Sequence, residues 1–479
     1  MKGGGTMRSS GILMPVFSLY GDYGVGTLGK GTYDFVDFLS ASGQKYWQIL
    51  PLNPTSYGNS PYQSPCVFAG NPYLIDPDLL GGMGLIKCSD LDAYRYDNNG
   101  KVDYSMLYHE RLPLIKKAVC GIADDDCDYL AFCENESFWL DSYCTFMALK
   151  EKNQMLPHSR WHDKSTKGLG NEINIHRKMQ FLFFTQWFNL KNYANAKGIQ
   201  IIGDLPIYPA EDSSDYYFSP EMFLEGVVAA CPPDSFNING QLWGNPIYDW
   251  QKMKDEGYSW WKARLSQASR LYDSVRIDHF RGFYEYFSTP SGKSAKDGRW
   301  SKGPGLDFCH MVHRSFPKLD IIAEDLGFLT DDTREFFRQS GFDGMKVLLF
   351  AFDGTDSEYL PHNHSKNSVV YTGTHDTMTV SQWICSSSSD ELSRAMDYLG
   401  ANSVFTLCDC FVRGAFSSVS DRAIIPLQDW LKIGCSGRVN TPGTAGKNWE
   451  WRIKEDKLTD NLKDKILSYT KTYKRFQEA

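Results

Sequence analysis

Residues 274–279 read SVRIDH, a short β-prone run that ends in an acid. The pattern returns twice, as DIIAED at 320–325 and SVVYTGTHDT at 368–377. Parallel strands covered on both faces read as continuous apolar runs, and in a (β/α)8 barrel the chemistry stands at the carboxyl ends of the strands. Asp278, Glu324 and Asp376 occupy such positions, 46 and 52 residues apart, about one strand–helix repeat each. The three acids are therefore expected at one barrel mouth.

Working outward, eight runs read as core strands: Gly11–Ser18, Tyr46–Leu50, Gln200–Ile202, Ser274–Ile277, Asp320–Ala323, Met345–Phe350, Ser368–Tyr371 and Ala423–Leu427. Helical patterns fill several intervals, among them Arg177–Ala196 and Asp390–Phe411, the second preceded by serines suited to capping. Eight such alternations predict an α/β fold, a (β/α)8 TIM barrel forming one domain over residues 1–479. Large insertions are expected above the C-terminal face of the strands, with no separate C-terminal β-domain. Residues 53–198 are too many for one crossover and read as an insertion subdomain with helices. Residues 208–272 read as a second insertion, carrying a covering loop.

The formal net charge of -8 argues against nucleic-acid and anionic-membrane partners, which select basic surfaces. Aromatic residues make up 14% of the chain, enough to supply flat platforms for sugar rings as well as a core. The 12 cysteines form no CxxC pair or zinc spacing and read as free thiols of a reducing compartment. No secretory signal or apolar run of about 18 residues is read, so a cytoplasmic location is expected. The 10 histidines show no HExxH, and no P-loop or strand-anchored GxGxxG occurs, so neither a metal nor another cofactor is expected.

Arg276 and Asp278 are two residues apart in an extended run and share a face, where a guanidinium favours the charged carboxylate of a nucleophile. The same pair also reads as a structural ion pair at a strand end. Glu324 follows an apolar wall that disfavours its ionisation, as a general acid requires, with Asp325 as the competing residue. Asp376, beside His375, is placed to hold sugar hydroxyls and stabilise an oxocarbenium-like transition state.

Across the chain, SLYGDYGVGTLG (18–29), WQILPLNPT (47–55), SPYQSPCVFAGNPYLID (60–76), GDLPIY (203–208), PPDSFNINGQLWGNPIYDW (232–250), RIDHFRGF (276–283), GRWSKGPG (298–305), AEDLG (323–327), GMKVLLFAFDG (344–354), THDT (374–377) and NTPGT (440–444) occur in order. Together they resemble the amylomaltase, or disproportionating-enzyme, family of 4-α-glucanotransferases in the α-amylase clan. The resemblance implies Asp278 as nucleophile, Glu324 as acid/base and Asp376 as transition-state stabiliser, supported by Arg276 and His375, with Asp204 in a positional role. It also implies that Ser60, Tyr62, Asp353 and Asn448 line the acceptor side. Pro232, Pro233, Asp234, Gln241, Trp243 and Asn245 then belong to a loop folded over the glucan. Cys231 and the Thr377-Met378 pair depart from the family pattern and bear on the cleft wall.

The implied reaction is retaining transfer of an α-1,4-glucan segment to the 4-hydroxyl of glucose or a maltooligosaccharide, without cofactor, by a monomer or weak homo-oligomer. A hydrolase using the same acids and a noncatalytic glucan-binding protein are the rival readings.

Overall fold

A computed structural model of the chain describes residues 8–96, 99–233, 238–327, 329–354 and 357–476. Twelve strands are present among them. They are β1 (Ser9–Leu13), β2 (Tyr46–Gln48), β3 (Gln200–Leu205), β4 (Phe223–Cys231), β5 (Gln241–Tyr248), β6 (Ser274–Ile277), β7 (Glu285–Pro290), β8 (Arg299–Lys302), β9 (Asp320–Ala323), β10 (Gly344–Val347), β11 (Ser368–Tyr371) and β12 (Arg422–Pro426).

Eight of them form one parallel sheet in the order β10-β11-β12-β1-β2-β3-β6-β9. Its two ends meet through a parallel bridge between Ile322 and Asp343, where the Ala323 amide donates to the Asp343 carbonyl at 2.8 Å. The sheet therefore closes into the expected (β/α)8 barrel. All residues of β1, β6, β11 and β12 are buried, as strands packed on both faces must be. At this seam the Asp325 carboxylate takes the Met345 amide at 2.7 Å, and Gly344 lacks the Cβ that would lie 2.5 Å from that carboxylate.

Every expected core strand is present: Ser274–Ile277, Asp320–Ala323 and Ser368–Tyr371 keep their bounds, β3 runs on to Leu205, and the others shift or shorten at their ends. The run at 11–18 stops at Leu13 because Pro15 leads into a 3-10 turn, Val16–Ser18. The run at 345–350 yields after Val347 to a similar turn, Leu348–Phe350. The pattern at 390–411 divides into helices Ser389–Leu399 and Val404–Ser417, because Gly400 ends the first in the left-handed region at φ 66°. Ser388 and Glu391 close a capping box at its start. Between β10 and β11 the described residues contain no α-helix, only 3-10 turns.

Helices span much of the interval from β2 to β3, the last being Gly170–Ala196. The other four strands form an antiparallel sheet in the order β5-β4-β7-β8, which joins the β4–β5 hairpin to strands that follow Asp278. At the opposite end of the barrel, buried Arg422 pairs with Asp320 at 2.5 Å and with Asp343, tying β12 to β9 and the start of β10. No helix among the described residues is long and apolar enough to cross a membrane. All 12 cysteines are free.

Candidate active site

Asp278, Glu324 and Asp376 each stand just beyond a barrel strand, and one hydrogen-bonded network links them. Arg276, on β6, is buried in the barrel and uses both arms of its guanidinium. Nη1 donates to both carboxylate oxygens of Asp204, on β3, at 2.6 Å each. Nη2 donates to Asp278 Oδ1 at 3.0 Å and Glu324 Oε2 at 2.8 Å. Burial alone would weaken the guanidinium's hold on its proton, but Asp204, Glu324 and Asp278 outweigh it and keep the side chain charged.

Two oxygens bound to one nitrogen cannot lie farther apart than those contacts laid end to end. Two carboxyls gathered on one nitrogen in this way fit the closer spacing of retaining pairs better than the wider gap that inverting pairs keep for a water. Asp278 and Glu324 lie close enough that each charge disfavours the other.

Burial and the charge of Glu324 hold Asp278 well above the carboxylate range, and Arg276 opposes this only in part. Burial also works against charge on Glu324, yet Arg276, the bond from Asp278 and the His279 amide hold it below the ordinary glutamate value. The sequence reading gives charge to Asp278 and the proton to Glu324; this arrangement distributes them the other way. The reason is local: Glu324 Oε2 takes two donors, Arg276 Nη2 and the His279 amide at 2.7 Å, whereas Asp278 takes only Arg276.

Tyr62 connects the other half of the site. Its hydroxyl donates to Asp204 Oδ2 at 2.7 Å and lies 2.9 Å from His375 Nε2. With its single hydrogen spent on an acceptor-only carboxylate, the hydroxyl accepts from Nε2–H of His375. The two rings stack with centroids 5.3 Å apart, and Trp449 packs against both. His375 Nε2 lies 3.3 Å from Asp376 Oδ2, while Asn440 donates to Asp376 Oδ1 at 2.6 Å. Burial would raise Asp376, but His375 and Asn440 overcome it and pull the carboxyl down to about 2.

The loop from Thr372 to Val380 that presents His375 and Asp376 is pinned at both ends. Buried Asp429 accepts from Thr372 Oγ1 at 2.5 Å and from the Val380 amide at 2.8 Å. Asp325, the competing acid, is occupied with the barrel seam described above.

The remaining expected site residues divide by place. Ser60 caps the turn that presents Tyr62, accepting its amide at 3.2 Å. Trp243 on β5 sets its ring edge-on to His279, centroids 4.8 Å apart, and donates to Gln241 Oε1 at 3.3 Å. Asn245 spends its side chain on the Pro209 carbonyl and Gln63, and Asn448 closes its own loop through Thr441 and Thr444. Asp353 is exposed beside Arg334, Tyr359 and Asn363 in an open groove outside the network. Pro232, Pro233 and Cys231 lead into the covering loop, and Asp234 lies outside the described residues.

Sequence reasoning missed Asn440, Trp449, His279 and Arg438, whose Nη2 donates to the Asp376 carbonyl at 3.3 Å. Asn440 and His279 stand inside quoted motifs, and their neighbours drew the attention. Among the described residues no three metal-ligating side chains converge.

Comparisons with known proteins identify the family. A family profile described as 4-alpha-glucanotransferase matches residues 14–459. The 4-alpha-glucanotransferase of Clostridium butyricum is 43% identical over 96% of this chain and 100% of its own. That of Thermus thermophilus is 40% identical over 94% and 96%. The structure of the amylomaltase from Streptococcus agalactiae in complex with acarbose superposes with a TM-score of 0.94 at 37% identity, covering 98% of this chain and 100% of that one. An amylomaltase structure from Corynebacterium glutamicum, 16% identical, shares the fold with a TM-score of 0.78 over 98% of this chain and 75% of its own. A profile spanning nearly the whole chain, and relatives this similar along their full length, place the chain in the 4-alpha-glucanotransferase family.

Proposed function

We propose that this chain is a 4-α-glucanotransferase that moves a segment of an α-1,4-glucan to the 4-hydroxyl of glucose or a maltooligosaccharide, with retention of anomeric configuration. The observation that carries the reading is the pair of carboxyls on one arginine nitrogen, Asp278 at 3.0 Å and Glu324 at 2.8 Å, beside a charged Asp376.

In the first step Glu324 gives its proton to the departing glycosidic oxygen while an Asp278 oxygen bonds to the anomeric carbon. In the second, Glu324 takes the proton of the acceptor 4-hydroxyl, whose oxygen displaces Asp278 and leaves the pair as it began. The proton must first pass from Asp278 to Glu324 beside it, a shift that needs no outside donor. Asp376 offers charge and hydrogen bonding to the ring hydroxyls where positive charge develops, and Asp204 holds Arg276 in register.

Transfer requires that a sugar hydroxyl outcompete water, so the acceptor must be held and solvent kept out. We assign that task to residues 208–272, with Trp243 and Gln241 on β5 facing the glucan. Tyr62 and its Ser60 cap, with Asn448, shape the cleft on the acceptor side; Asn245 steadies the covering segment through Pro209 and Gln63, and Asp353 lies in the groove beyond. No cofactor enters the cycle. The chain is read as cytoplasmic, a monomer or weak homo-oligomer.

Incubation with maltotriose tests the reading. A ladder of longer oligosaccharides with glucose supports transfer; glucose and maltose without longer products would establish hydrolysis instead. Asp278→Ala should abolish turnover and leave glucan binding in place, and unchanged turnover would remove the nucleophile assignment.

A further inference from the structure

The residue after the proposed nucleophile has a backbone that L-residues seldom adopt. His279 sits at φ 48°, ψ 48°, in the left-handed region, where a side chain other than glycine carries strain. With the backbone held there, its amide donates to Glu324 Oε2 at 2.7 Å and its ring and the chain that follows turn off the line of β6. Oε2 already accepts from Arg276 Nη2 at 2.8 Å, so its donors are complete and Oε1 is the oxygen left to carry a proton toward a leaving group. The His279 ring is held edge-on by Trp243, with centroids 4.8 Å apart at 89°. Burial keeps that ring neutral, pulling its pKa down to about 4, so packing and not charge secures it at neutral pH.

We infer that His279 is a positioning residue for the acid/base: its ring, braced by Trp243, maintains the left-handed backbone whose amide fixes which oxygen of Glu324 delivers the proton. This rests on the assignment of Glu324 above and deepens it. Without the ring the strained conformation loses its brace, the backbone relaxes, and Oε2 gives up a donor, leaving the carboxyl free to turn. Glycine enters the left-handed region without strain and should retain the geometry without a brace.

The test compares two donors that deliver the same maltotriosyl group. Maltotetraose expels glucose and needs the acid; α-maltotriosyl fluoride expels fluoride and needs little proton help. The ratio of their kcat/KM values is independent of the folded fraction, so a loss of fold does not move it. In His279→Ala the maltotetraose-to-fluoride ratio should fall about tenfold, a part of the roughly 100-fold or more that general acid catalysis contributes. In His279→Gly most of that fall should be recovered. An unchanged ratio in His279→Ala, or an equal fall in the glycine variant, overturns the inference. Glu324→Gln separates it from the reading beneath: its ratio should fall at least about 100-fold. If it does not, the acid assignment fails and this inference with it; if it does while His279→Ala is unchanged, only the inference fails.

Discussion

Tyr62→Phe removes one oxygen atom from the middle of the network and leaves the rest of the side chain where it is. That hydroxyl joins the Arg276–Asp204 half of the site to the His375–Asp376 half, with contacts of 2.7 and 2.9 Å. A hydrogen bond to a charged group contributes about 1.5–3 kcal/mol and a neutral one about 1 kcal/mol. Asp204 keeps both bonds from Arg276 Nη1, so its charge is not stranded and its share falls at the lower end. His375 loses the acceptor that fixes its tautomer and ring angle beside Asp376. Together these amount to about 2 kcal/mol, or about 30-fold in rate if expressed in the transition state. The stacking on His375 at 5.3 Å is retained, so the fold should hold. The assay is disproportionation of maltotriose at pH 7, with kcat and KM measured separately. We expect kcat to fall about 30-fold while KM stays within about twofold, since the lost atom braces groups that act on the transition state. If the loss appeared in KM alone, the hydroxyl would be a substrate contact and the bracing role would be refuted; a kcat within twofold of the parent would refute it as well.

Other perturbations probe separate parts of the site and fold. Asn440→Ala deletes the 2.6 Å donor to Asp376 Oδ1 and should lower kcat about tenfold, with the acid limb of the pH profile moving upward as Asp376 becomes easier to protonate. Asp429 is buried and burial raises it to about 6, above its unfolded value near 3.9, so the folded chain binds the proton more tightly and loses stability as pH rises from about 4 to about 6. Asp429→Asn keeps the shape and should flatten this slope, raising Tm at pH 7 more than at pH 4; an unaltered slope in thermal melts would contradict it. Arg422→Met strands buried Asp343 at the closed end of the barrel, leaves Asp320 with the Ser274 hydroxyl, and should cost about 3 kcal/mol in urea unfolding with little change in KM. Trp243→Ala opens the covering hairpin, so product analysis should show free glucose rising relative to longer oligosaccharides.

The barrel was legible because its strands are buried on both faces. Ser368–Tyr371 and Asp320–Ala323 are short apolar runs that sheet packing demands, and both appear with the same bounds in the structure. The antiparallel sheet β5-β4-β7-β8 was not legible. Its strand β4 mixes buried and exposed positions, its register with β5 is broken by irregularities, and β8 is the polar tetrapeptide Arg299–Lys302. Gly400 hid the break in the 390–411 pattern because a left-handed cap looks like any glycine in a sequence.

The acids declared themselves by following strands, and the motifs supplied the family. Tyr62 was expected at the site, but its pairing with His375 was not, and Asn440 and Trp449 were missed, because these contacts join residues 313, 64 and 387 positions apart: Tyr62 to His375, Asn440 to Asp376 and Trp449 to Tyr62.

By itself, the sequence determined that eight buried strands would form and that each of three would carry an acid at its end, because apolar continuity and residue order are local properties. Only the tertiary structure decided the charge on those acids. The opposed shifts of Asp278 and Glu324, the donors on Oε2 and the depressed pKa of Asp376 arise from groups brought together by barrel closure, and electrostatic energy depends on distance in space rather than along the chain.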